Sequence, residues 1–236
     1  MNHSSPKLPS DQSGRRSGRL FGDETHFLRT LFGNPRLTGA VAPSGRFLAR
    51  AMARAVDPRG EGLVVELGPG TGPVTRALIE RGVARERLVL VEYDGGFCRL
   101  LAQRFAPIEV VQGDAYDLPR TLAGLGGRPI AAVVSSLPLL NQPPAARAKL
   151  IEDAFALMGP EGIFVQFTYG LVSPIPRETC AKKFSAHRGA PIWCNLPPAC
   201  VWIYRADPNA AFAEPMMARI RRHADRLMRR DRATAE

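Results

Sequence analysis

The sequence predicts an α/β fold in which a mostly parallel β-sheet is flanked by helices on both faces. Short apolar runs alternate with longer amphipathic segments along the middle of the chain. A glycine-rich run, Gly68-Pro69-Gly70-Thr71-Gly72, follows the first apolar run, as in folds whose ligand lies at the carboxyl ends of the strands. With 236 residues, the chain has room for one such domain and a short accessory segment at each end.

Strand–helix alternation runs from about residue 44 to residue 169. We predict strands at 62–67, 87–92, 108–112, 130–135 and 162–169, and helices at 44–56, 72–81, 95–105 and 145–157. Ser44 is the expected N-cap of the first of these helices, because its hydroxyl can accept a bond from a free backbone amide. After Tyr169 a basic insert, 171–190, precedes two short strands, 192–195 and 201–205, which we expect to form a terminal antiparallel hairpin.

The two ends of the chain have a different character. Residues 1–14 are polar and are predicted to be a disordered tail. Residues 15–32 have apolar side chains, including three Phe, at helical spacing, and arginines crowd the start of this segment. Residues 215–232 predict an arginine-rich helix, which is best interpreted as a solvated face or a nonspecific anionic contact.

Composition limits the classes of partner. There are 32 Lys and Arg residues against 22 Asp and Glu, a net charge of +10, which favours anionic partners such as nucleic acid, an anionic membrane or acidic small molecules. The use of Arg for solubility would give the same charge. No apolar run approaches the roughly 18 residues that span a bilayer, and the amino terminus lacks the apolar core of a signal peptide. The four cysteines form no C-x-x-C pair, so we expect a reducing cytoplasm and no metal site.

The glycine run predicts a site where backbone amides approach a ligand closely. Glu92 follows Gly72 by twenty residues and ends the second strand, where a carboxylate can accept hydrogen bonds from both hydroxyls of a ribose. This pair of features suits NAD and S-adenosylmethionine equally.

Two further acids discriminate between these cofactors. Glu66 lies two residues before the glycine run, where its carboxylate would face an ammonium group, and Asp114 ends the third strand, where it can receive an adenine amino group. Acids at three successive strand ends suit a cofactor that is cationic at its methionine end and suit a pyrophosphate poorly. The alternative is that Glu66 caps the next helix and Asp114 starts a turn.

Over roughly residues 40–205 the chain resembles the class I S-adenosylmethionine-dependent methyltransferases, because the glycine run, ribose acid and adenine acid occur in that family's order. The resemblance implies a Rossmann-like seven-stranded sheet whose last strand runs antiparallel. It also implies S-adenosylmethionine as the cofactor.

The segment from Ser135 to Asn141 lies where amine-directed methyltransferases carry Asn/Asp-Pro-Pro-Tyr or Asn-Leu-Pro-Tyr. In those enzymes a polar side chain and a backbone carbonyl orient an amino nitrogen, and the aromatic ring stacks on a base. Here Ser136 takes the polar position and Leu139 the aromatic one. This departure argues against a flat nucleobase and permits an aliphatic amine.

The chain resembles one group more closely, the bacterial soluble-type phospholipid N-methyltransferases that make phosphatidylcholine from phosphatidylethanolamine. The matching segments are 38–44, 66–72, 91–94, 111–115, 135–141 and 167–170. The resemblance implies that 15–56 forms an amphipathic helix and a segment covering the cofactor, and that 57–236 is the catalytic domain. The expected cofactor-binding residues are Pro43, Ser44, Glu66, Gly68, Gly70, Thr71, Gly72, Glu92, Tyr93, Asp114, Ala115 and Ser135.

This resemblance implies a partner, phosphatidylethanolamine in an anionic membrane, on the cytoplasmic face of the cell membrane. The basic amphipathic stretch 15–32 could lie in the interface plane, although its Phe residues could equally pack on the sheet. A lipid phosphate could be held by Arg177, Lys182, Lys183 and Arg188 of the insert, which could also be a solvated loop. We expect a monomer, no specific nucleic acid and no metal.

The expected reaction is in-line displacement at the sulfonium methyl group, helped mainly by alignment of the reacting atoms. We expect Ser136, Leu137 and Tyr169 at the acceptor site. The base is left open among water, Tyr169, Tyr204 and His187. Aromatic contact with a methylated cation could come from Tyr169, Trp193 or Tyr204, although Trp193 and Trp202, as strand residues, are expected in the core.

Two other functions fit part of the pattern. An rRNA adenine dimethyltransferase has a related glycine run and acceptor turn, and the charge of +10 suits RNA. Leu139 in the stacking position and the lack of an evident C-terminal helical RNA domain argue against it. A membrane- or nucleic-acid-binding scaffold is the non-enzymatic alternative, and the three acids argue against that.

Overall fold

The computed structural model describes residues 43–169, 172–194 and 198–207. The predicted tail 1–14, the basic helix 15–32 and the arginine-rich helix 215–232 lie outside these residues. The described helices are α1 (Pro43–Arg54), α2 (Pro73–Glu80), α3 (Gly95–Phe105), α4 (Leu118–Thr121), α5 (Pro144–Met158) and α6 (Arg177–Lys183). The strands are β1 (Leu63–Leu67), β2 (Leu88–Glu92), β3 (Glu109–Gln112), β4 (Ile130–Ser135), β5 (Ile163–Thr168), β6 (Phe184–Arg188) and β7 (Cys200–Ala206).

These strands form one seven-stranded sheet in the order β3-β2-β1-β4-β5-β7-β6. Strands β1 to β5 pair in parallel, and β7 runs antiparallel to both β5 and β6. The predicted Rossmann-like sheet, mostly parallel with a terminal antiparallel hairpin, is therefore confirmed.

The prediction of the hairpin's first strand is wrong. The partner of β7 is Phe184–Arg188, and in the predicted strand 192–195 Ile192 makes only an isolated bridge to Ala199. The insert 171–190 consequently contains α6 and β6. Only Phe184 of β6 is buried, so this edge strand is held by backbone pairing and lacks the apolar alternation by which strands are predicted.

Two apolar cores cover the two faces of the sheet. Leu48 and Met52 of α1 pack with side chains of α2 and α3 on one face, where Val64 of β1 also lies. On the other face, Phe155 of α5 packs with Val65 and with other strand residues whose side chains point to that face. Each large side chain buried in this way contributes about 1.5–3 kcal/mol, so both faces hold the strand ends in fixed positions.

The register brings the predicted site segments to one edge of the sheet. Leu67 pairs with Val91 on one side and with Ser135 on the other, and Ser135 pairs with Gln166. The glycine run, Glu92 and the acceptor turn therefore follow aligned strand ends, which we call the carboxyl edge. Helix α1 begins at Pro43, so Ser44 lies within its first turn rather than at the predicted N-cap. Among the described residues, no helix is long and apolar enough to cross a membrane.

Candidate cofactor and acceptor site

The glycine run has the backbone shape that its sequence predicts. Gly68, Gly70 and Gly72 have φ values of 65°, 56° and 80°, a left-handed region that favours glycine. A Cβ on Gly72 would overlap the Phe105 ring, and one on Gly68 would come within 2.9 Å of Leu137 Cδ2. A Cβ on Gly70 would meet no atom within 4 Å. Gly70 thus borders open space into which a ligand fits.

Glu92 fixes the other side of this space. Its Oε1 accepts bonds from the backbone amides of Tyr93 (2.9 Å) and Asp94 (3.0 Å), and its Oε2 accepts one from the amide of Gly70 (3.1 Å). A carboxylate has about four acceptor positions, so one remains for a ribose hydroxyl. The glycine run and the ribose acid are therefore joined directly by a hydrogen bond.

Glu66 is fully buried on the face of α2 and is only partly satisfied. Its Oε2 accepts a 2.6 Å bond from the Thr75 hydroxyl, while Oε1 has no partner among the described residues. Burial raises the pKa of this carboxyl to about 8; the Thr75 bond lowers it in part, and the charge of Glu92 raises it. A cation beside Oε1 would satisfy the free oxygen and favour ionisation, which fits the ammonium group of S-adenosylmethionine.

Asp114 fits both interpretations made from the sequence, as the start of a turn and as a ligand of the adenine amino group. Its Oδ1 accepts a 2.8 Å bond from the amide of Tyr116 and so starts a turn. Its backbone carbonyl accepts the Thr121 hydroxyl at 2.7 Å, which fixes the turn. The half-buried carboxylate keeps Oδ2 available for a ligand at the end of β3.

The other predicted cofactor residues surround the same edge. Tyr93 is exposed directly after β2, Ala115 is buried after β3, and Ser135 is buried at the end of β4. The backbone carbonyl of Thr71 accepts a 2.9 Å bond from Arg104 of α3. Pro43 and Ser44 open α1, and their side chains lie outside the description. The residues present therefore fit S-adenosylmethionine.

The acceptor turn follows β4. Ser136 is buried, and its Oγ has no hydrogen-bond partner among the described residues. Leu139, in the position of the stacking ring, is only 2% exposed. The turn thus offers a hydroxyl and backbone carbonyls to an acceptor, and its fourth residue is part of the core.

The structure separates the candidate bases. Tyr169 is half-buried beside Phe167, and burial raises the pKa of its hydroxyl. The Tyr204 hydroxyl lies 2.8 Å from Ser173 Oγ in the core, where burial raises its pKa further. His187 is exposed on the edge strand β6, opposite Ile203. Because Tyr204 and His187 lie away from the acceptor turn, the structure does not bring them into the site.

The two tryptophans occupy opposite environments. Trp202 is buried and stacks on Tyr204, as expected of a core residue. The expectation for Trp193 is wrong, because this side chain is 76% exposed in the connection between β6 and β7. The connection has one isolated bridge to hold it, so Trp193 is not covered by the sheet.

Two of the four candidate phosphate ligands, Lys183 and Arg188, lie at opposite edges of the sheet. Lys183 Nζ donates to Glu152 Oε1 at 2.9 Å, and its strand register places it beyond the start of β5, at the amino edge of the sheet. Arg188 pairs with Trp202 about 16 Å farther along β6, toward the carboxyl edge. Arg177 opens α6, and the side chain of Lys182 lies outside the description.

Sequence reasoning missed two residues of the site. Thr75 of α2 bonds Glu66, and Gln166 of β5 donates a 2.9 Å bond from Nε2 to the carbonyl of Leu137. A signal for Gln166 is present in the sequence, since it is the one strongly polar side chain within the run Ile163 to Phe167. A buried polar residue in an apolar strand needs a partner.

Comparison with known proteins identifies the enzyme class. Residues 46–122 match the family model for ribosomal RNA adenine dimethylases. The chain is 34% identical over 145 residues to an ornithine lipid N-methyltransferase of Singulisphaera acidiphila, covering 60% of this chain and 76% of that protein. The chain belongs to the same family as this relative. It is a class I S-adenosylmethionine-dependent methyltransferase.

Two further proteins resemble this methyltransferase, one in sequence and one in fold. It is 34% identical over 174 residues to ribosomal RNA small subunit methyltransferase A of Kineococcus radiotolerans, covering 65% of this chain but 52% of that enzyme. Its fold matches the Burkholderia thailandensis 1,6-didemethyltoxoflavin-N1-methyltransferase, solved with S-adenosylhomocysteine, with a TM-score of 0.55, 17% identity and coverage of 84% and 93% of the two chains. S-adenosylmethionine is therefore the cofactor of this methyltransferase.

Proposed function

We propose that this methyltransferase transfers methyl groups to the head-group amine of a membrane lipid. The acceptor turn carries the proposal, because it offers the unpartnered hydroxyl of Ser136 while Leu139 is buried where a base-stacking ring would be needed. An aliphatic amine needs hydrogen-bond acceptors and no flat ring to stack against. The relative named ornithine lipid N-methyltransferase supports a lipid acceptor.

Phosphatidylethanolamine and its mono- and dimethyl forms are the acceptors we propose first, leading toward phosphatidylcholine. The segments that resemble phospholipid N-methyltransferases extend from residue 38 to residue 170 and support this choice. Ornithine lipid is the matching comparison acceptor, since ornithine also bears an aliphatic primary amine. Both acceptors present the same nitrogen chemistry to the turn.

The residues of the turn would act by positioning. When bound, the cofactor supplies an electrophilic methyl group on sulfur. Ser136 Oγ would accept an N–H bond from the amine and direct its lone pair away from the hydroxyl. The Leu137 carbonyl already accepts the Leu139 amide and Gln166 Nε2, so it fixes the shape of the turn. Holding the reacting atoms in line in this way can contribute several kcal/mol to rate acceleration.

We also propose that the enzyme works peripherally at the cytoplasmic face of the cell membrane, on an anionic lipid surface. Leu140, Val172 and Trp193 are exposed apolar side chains that lie next to strand ends at the carboxyl edge. Such residues can enter the interface beside the site, and basic residues near a membrane surface contribute about 1 kcal/mol each to binding. The net charge of +10 supports this location.

The test is methyl transfer by the purified full chain from labelled S-adenosylmethionine. Vesicles of phosphatidylethanolamine with anionic phosphatidylglycerol, and separate vesicles containing ornithine lipid, serve as acceptors. Label is expected in lipid, and mass spectrometry gives the number of methyl groups added. An absence of labelled lipid in both vesicles would contradict the proposal.

Methylation of rRNA adenine is the second candidate, because residues 46–122 match the rRNA dimethylase model. That family match ends before the acceptor turn at Ser136, but the similarity to the Kineococcus radiotolerans rRNA methyltransferase spans 65% of this chain and so includes the turn. Unmodified small-subunit rRNA is therefore included as a third acceptor in the same assay. Label in RNA and none in lipid would favour this candidate.

A further inference from the structure

Gln166 occupies an unusual position on β5. Its side chain is completely buried, and its amide Nε2 donates to the Leu137 carbonyl at 2.9 Å and to the Phe167 carbonyl at 2.8 Å. Leu137 is in the acceptor turn. This amide is therefore the direct link between β5 and the segment that we expect to hold the acceptor nitrogen.

The two bonds fix which way the amide faces. Both partners are carbonyl oxygens, so only the NH2 side of Gln166 can face them. Its Oε1 consequently points elsewhere, and it has no hydrogen-bond partner among the described residues. A buried carbonyl oxygen without a donor costs free energy, and a ligand with an N–H group would remove that cost.

The location suits a ligand that reacts with the cofactor. Gln166 pairs with Ser135, which pairs in turn with Leu67 just before the glycine run. Two strand spacings separate Gln166 from Leu67, about 10 Å. Ser136, with its own unpartnered Oγ, lies between them along the same edge.

We propose that Gln166 is an acceptor-binding residue of this methyltransferase. Its Oε1 accepts a hydrogen bond from the nitrogen to be methylated, and its Nε2 holds the acceptor turn in place through the Leu137 carbonyl, which also accepts the Leu139 amide. This inference rests on the proposed function, because the ligand it needs is an aliphatic amine. Each transfer forms an N–C bond as the S–C bond breaks and S-adenosylhomocysteine leaves, and the nitrogen then loses one proton to water. The product has one N–H fewer, so Gln166 favours the least methylated acceptor.

The test compares Gln166→Met with the wild-type full chain on phosphatidylethanolamine vesicles and on N,N-dimethyl-phosphatidylethanolamine vesicles. For the primary amine, KM is expected to rise about tenfold, the scale of one lost hydrogen bond to a charged or strongly polar group. For the dimethyl lipid, which has at most one N–H, the rise is expected to stay below about threefold. The dissociation constant for S-adenosylmethionine should change less than twofold.

Two variants separate binding from folding. Gln166→Glu keeps an oxygen acceptor and, as a protonated carboxyl, can donate to one of the two carbonyls, so its KM for the primary amine is expected to rise less than that of Gln166→Met, by about threefold. Gln103→Met is the matched control, because it makes the same substitution at an exposed position of α3, away from the acceptor turn. It should leave both KM values unchanged. If Gln166→Met loses cofactor binding, Gln166→Asn replaces it, with an expected rise in KM of about fivefold for the primary amine.

The outcomes distinguish this inference from the proposed function. Lipid methylation by the wild type with unchanged KM in the Gln166 variants would overturn the inference alone. Equal increases for the primary and dimethyl acceptors would also overturn it, because they would indicate a structural role. Label in RNA and none in lipid would overturn both.

Discussion

The two halves of the sheet differ in how many of their polar side-chain atoms have hydrogen-bond partners. In the cofactor half, β1–β3 with α1–α3, Glu92 accepts three backbone amides and Asp94 accepts two. In the acceptor half, β4–β7 with α5 and α6, several buried polar atoms have no partner among the described residues. These are Ser136 Oγ, Gln166 Oε1, Thr168 Oγ1 and Trp202 Nε1.

Under the proposed function, Ser136 Oγ and Gln166 Oε1 in the acceptor half are completed by the acceptor, whereas Glu92 in the cofactor half already has three partners. Glu66 is the exception in the cofactor half, and its free Oε1 is where a cation would complete the site. The rRNA dimethylase match covers residues 46–122 and so lies within the cofactor half. Similarity there supports a shared cofactor. The similarity to the Kineococcus radiotolerans rRNA methyltransferase extends into the acceptor half, so the acceptor has to be decided by experiment.

The largest expected effect is a loss of cofactor affinity when Glu92 of the cofactor half is replaced. Glu92→Ala removes the acceptor of three backbone amides and of the ribose hydroxyl, so the affinity for S-adenosylmethionine should fall by about a hundredfold or more. Isothermal titration calorimetry measures this loss. Glu86→Ala, in the exposed turn before the same strand, is the control and should bind normally. Unaltered affinity in Glu92→Ala would contradict the ribose assignment.

A pair of glycine variants separates folding from binding within that half. Gly72→Ala places a Cβ against the Phe105 ring and should lower the free energy of unfolding by about 2–3 kcal/mol. Gly70→Ala meets no protein atom, so it should cost only about 1 kcal/mol for its positive φ. It should nevertheless weaken cofactor binding about tenfold. Denaturant unfolding and titration measure the two effects, and the reverse ranking of stabilities would contradict this description of the loop.

The pH dependence of S-adenosylmethionine binding tests the role of Glu66, whose Oε1 has no partner among the described residues. Its pKa of about 8 means that the carboxyl is mostly protonated at pH 6, and a bound cation favours the ionised form. Affinity for S-adenosylmethionine should therefore rise with pH between 6 and 7.5, by up to about tenfold per pH unit. The range stops there because an α-amino group titrates near pH 8. In Glu66→Gln this rise should disappear, and an identical pH profile in the variant would exclude Glu66 as its source.

The same carboxyl affects the unliganded protein in the opposite direction. A pKa raised on folding adds stability below the unfolded value of 4.5, and this contribution is lost as pH rises to about 8. The free energy of unfolding of the apoprotein should consequently fall over that window. The fall should be smaller in Glu66→Gln, as measured by denaturant unfolding at several pH values. Equal slopes would contradict the burial of an ionisable Glu66.

The smallest effect concerns the surface of the acceptor half. Trp193→Ala should weaken binding to anionic vesicles by about three- to tenfold in sedimentation assays, since an exposed Trp at the carboxyl edge can enter the interface. Tyr93→Ala, exposed at the cofactor end of the same edge, is the comparison. Equal losses in both variants would show that the acceptor end is not the preferred contact.

The same contrast explains how much could be predicted from the sequence. The first five strands could be predicted because each is a short run with apolar residues at its centre, and the cofactor acids because Glu66, Glu92 and Asp114 lie at or next to the ends of such runs. Strand β6 could not, because four of its five residues are exposed and its place is set by pairing with β7. The role of Gln166 depends on cross-strand register and on the direction of its amide, which only the fold determines.

The most direct test of the central claim, that the acceptor half selects a lipid amine, is a competition. The full chain and labelled S-adenosylmethionine are incubated with phosphatidylethanolamine vesicles, ornithine lipid vesicles and unmodified small-subunit rRNA together, and label in each fraction is counted. Label is expected in the lipid fraction, with RNA at background. Label in RNA and none in either lipid would contradict that claim.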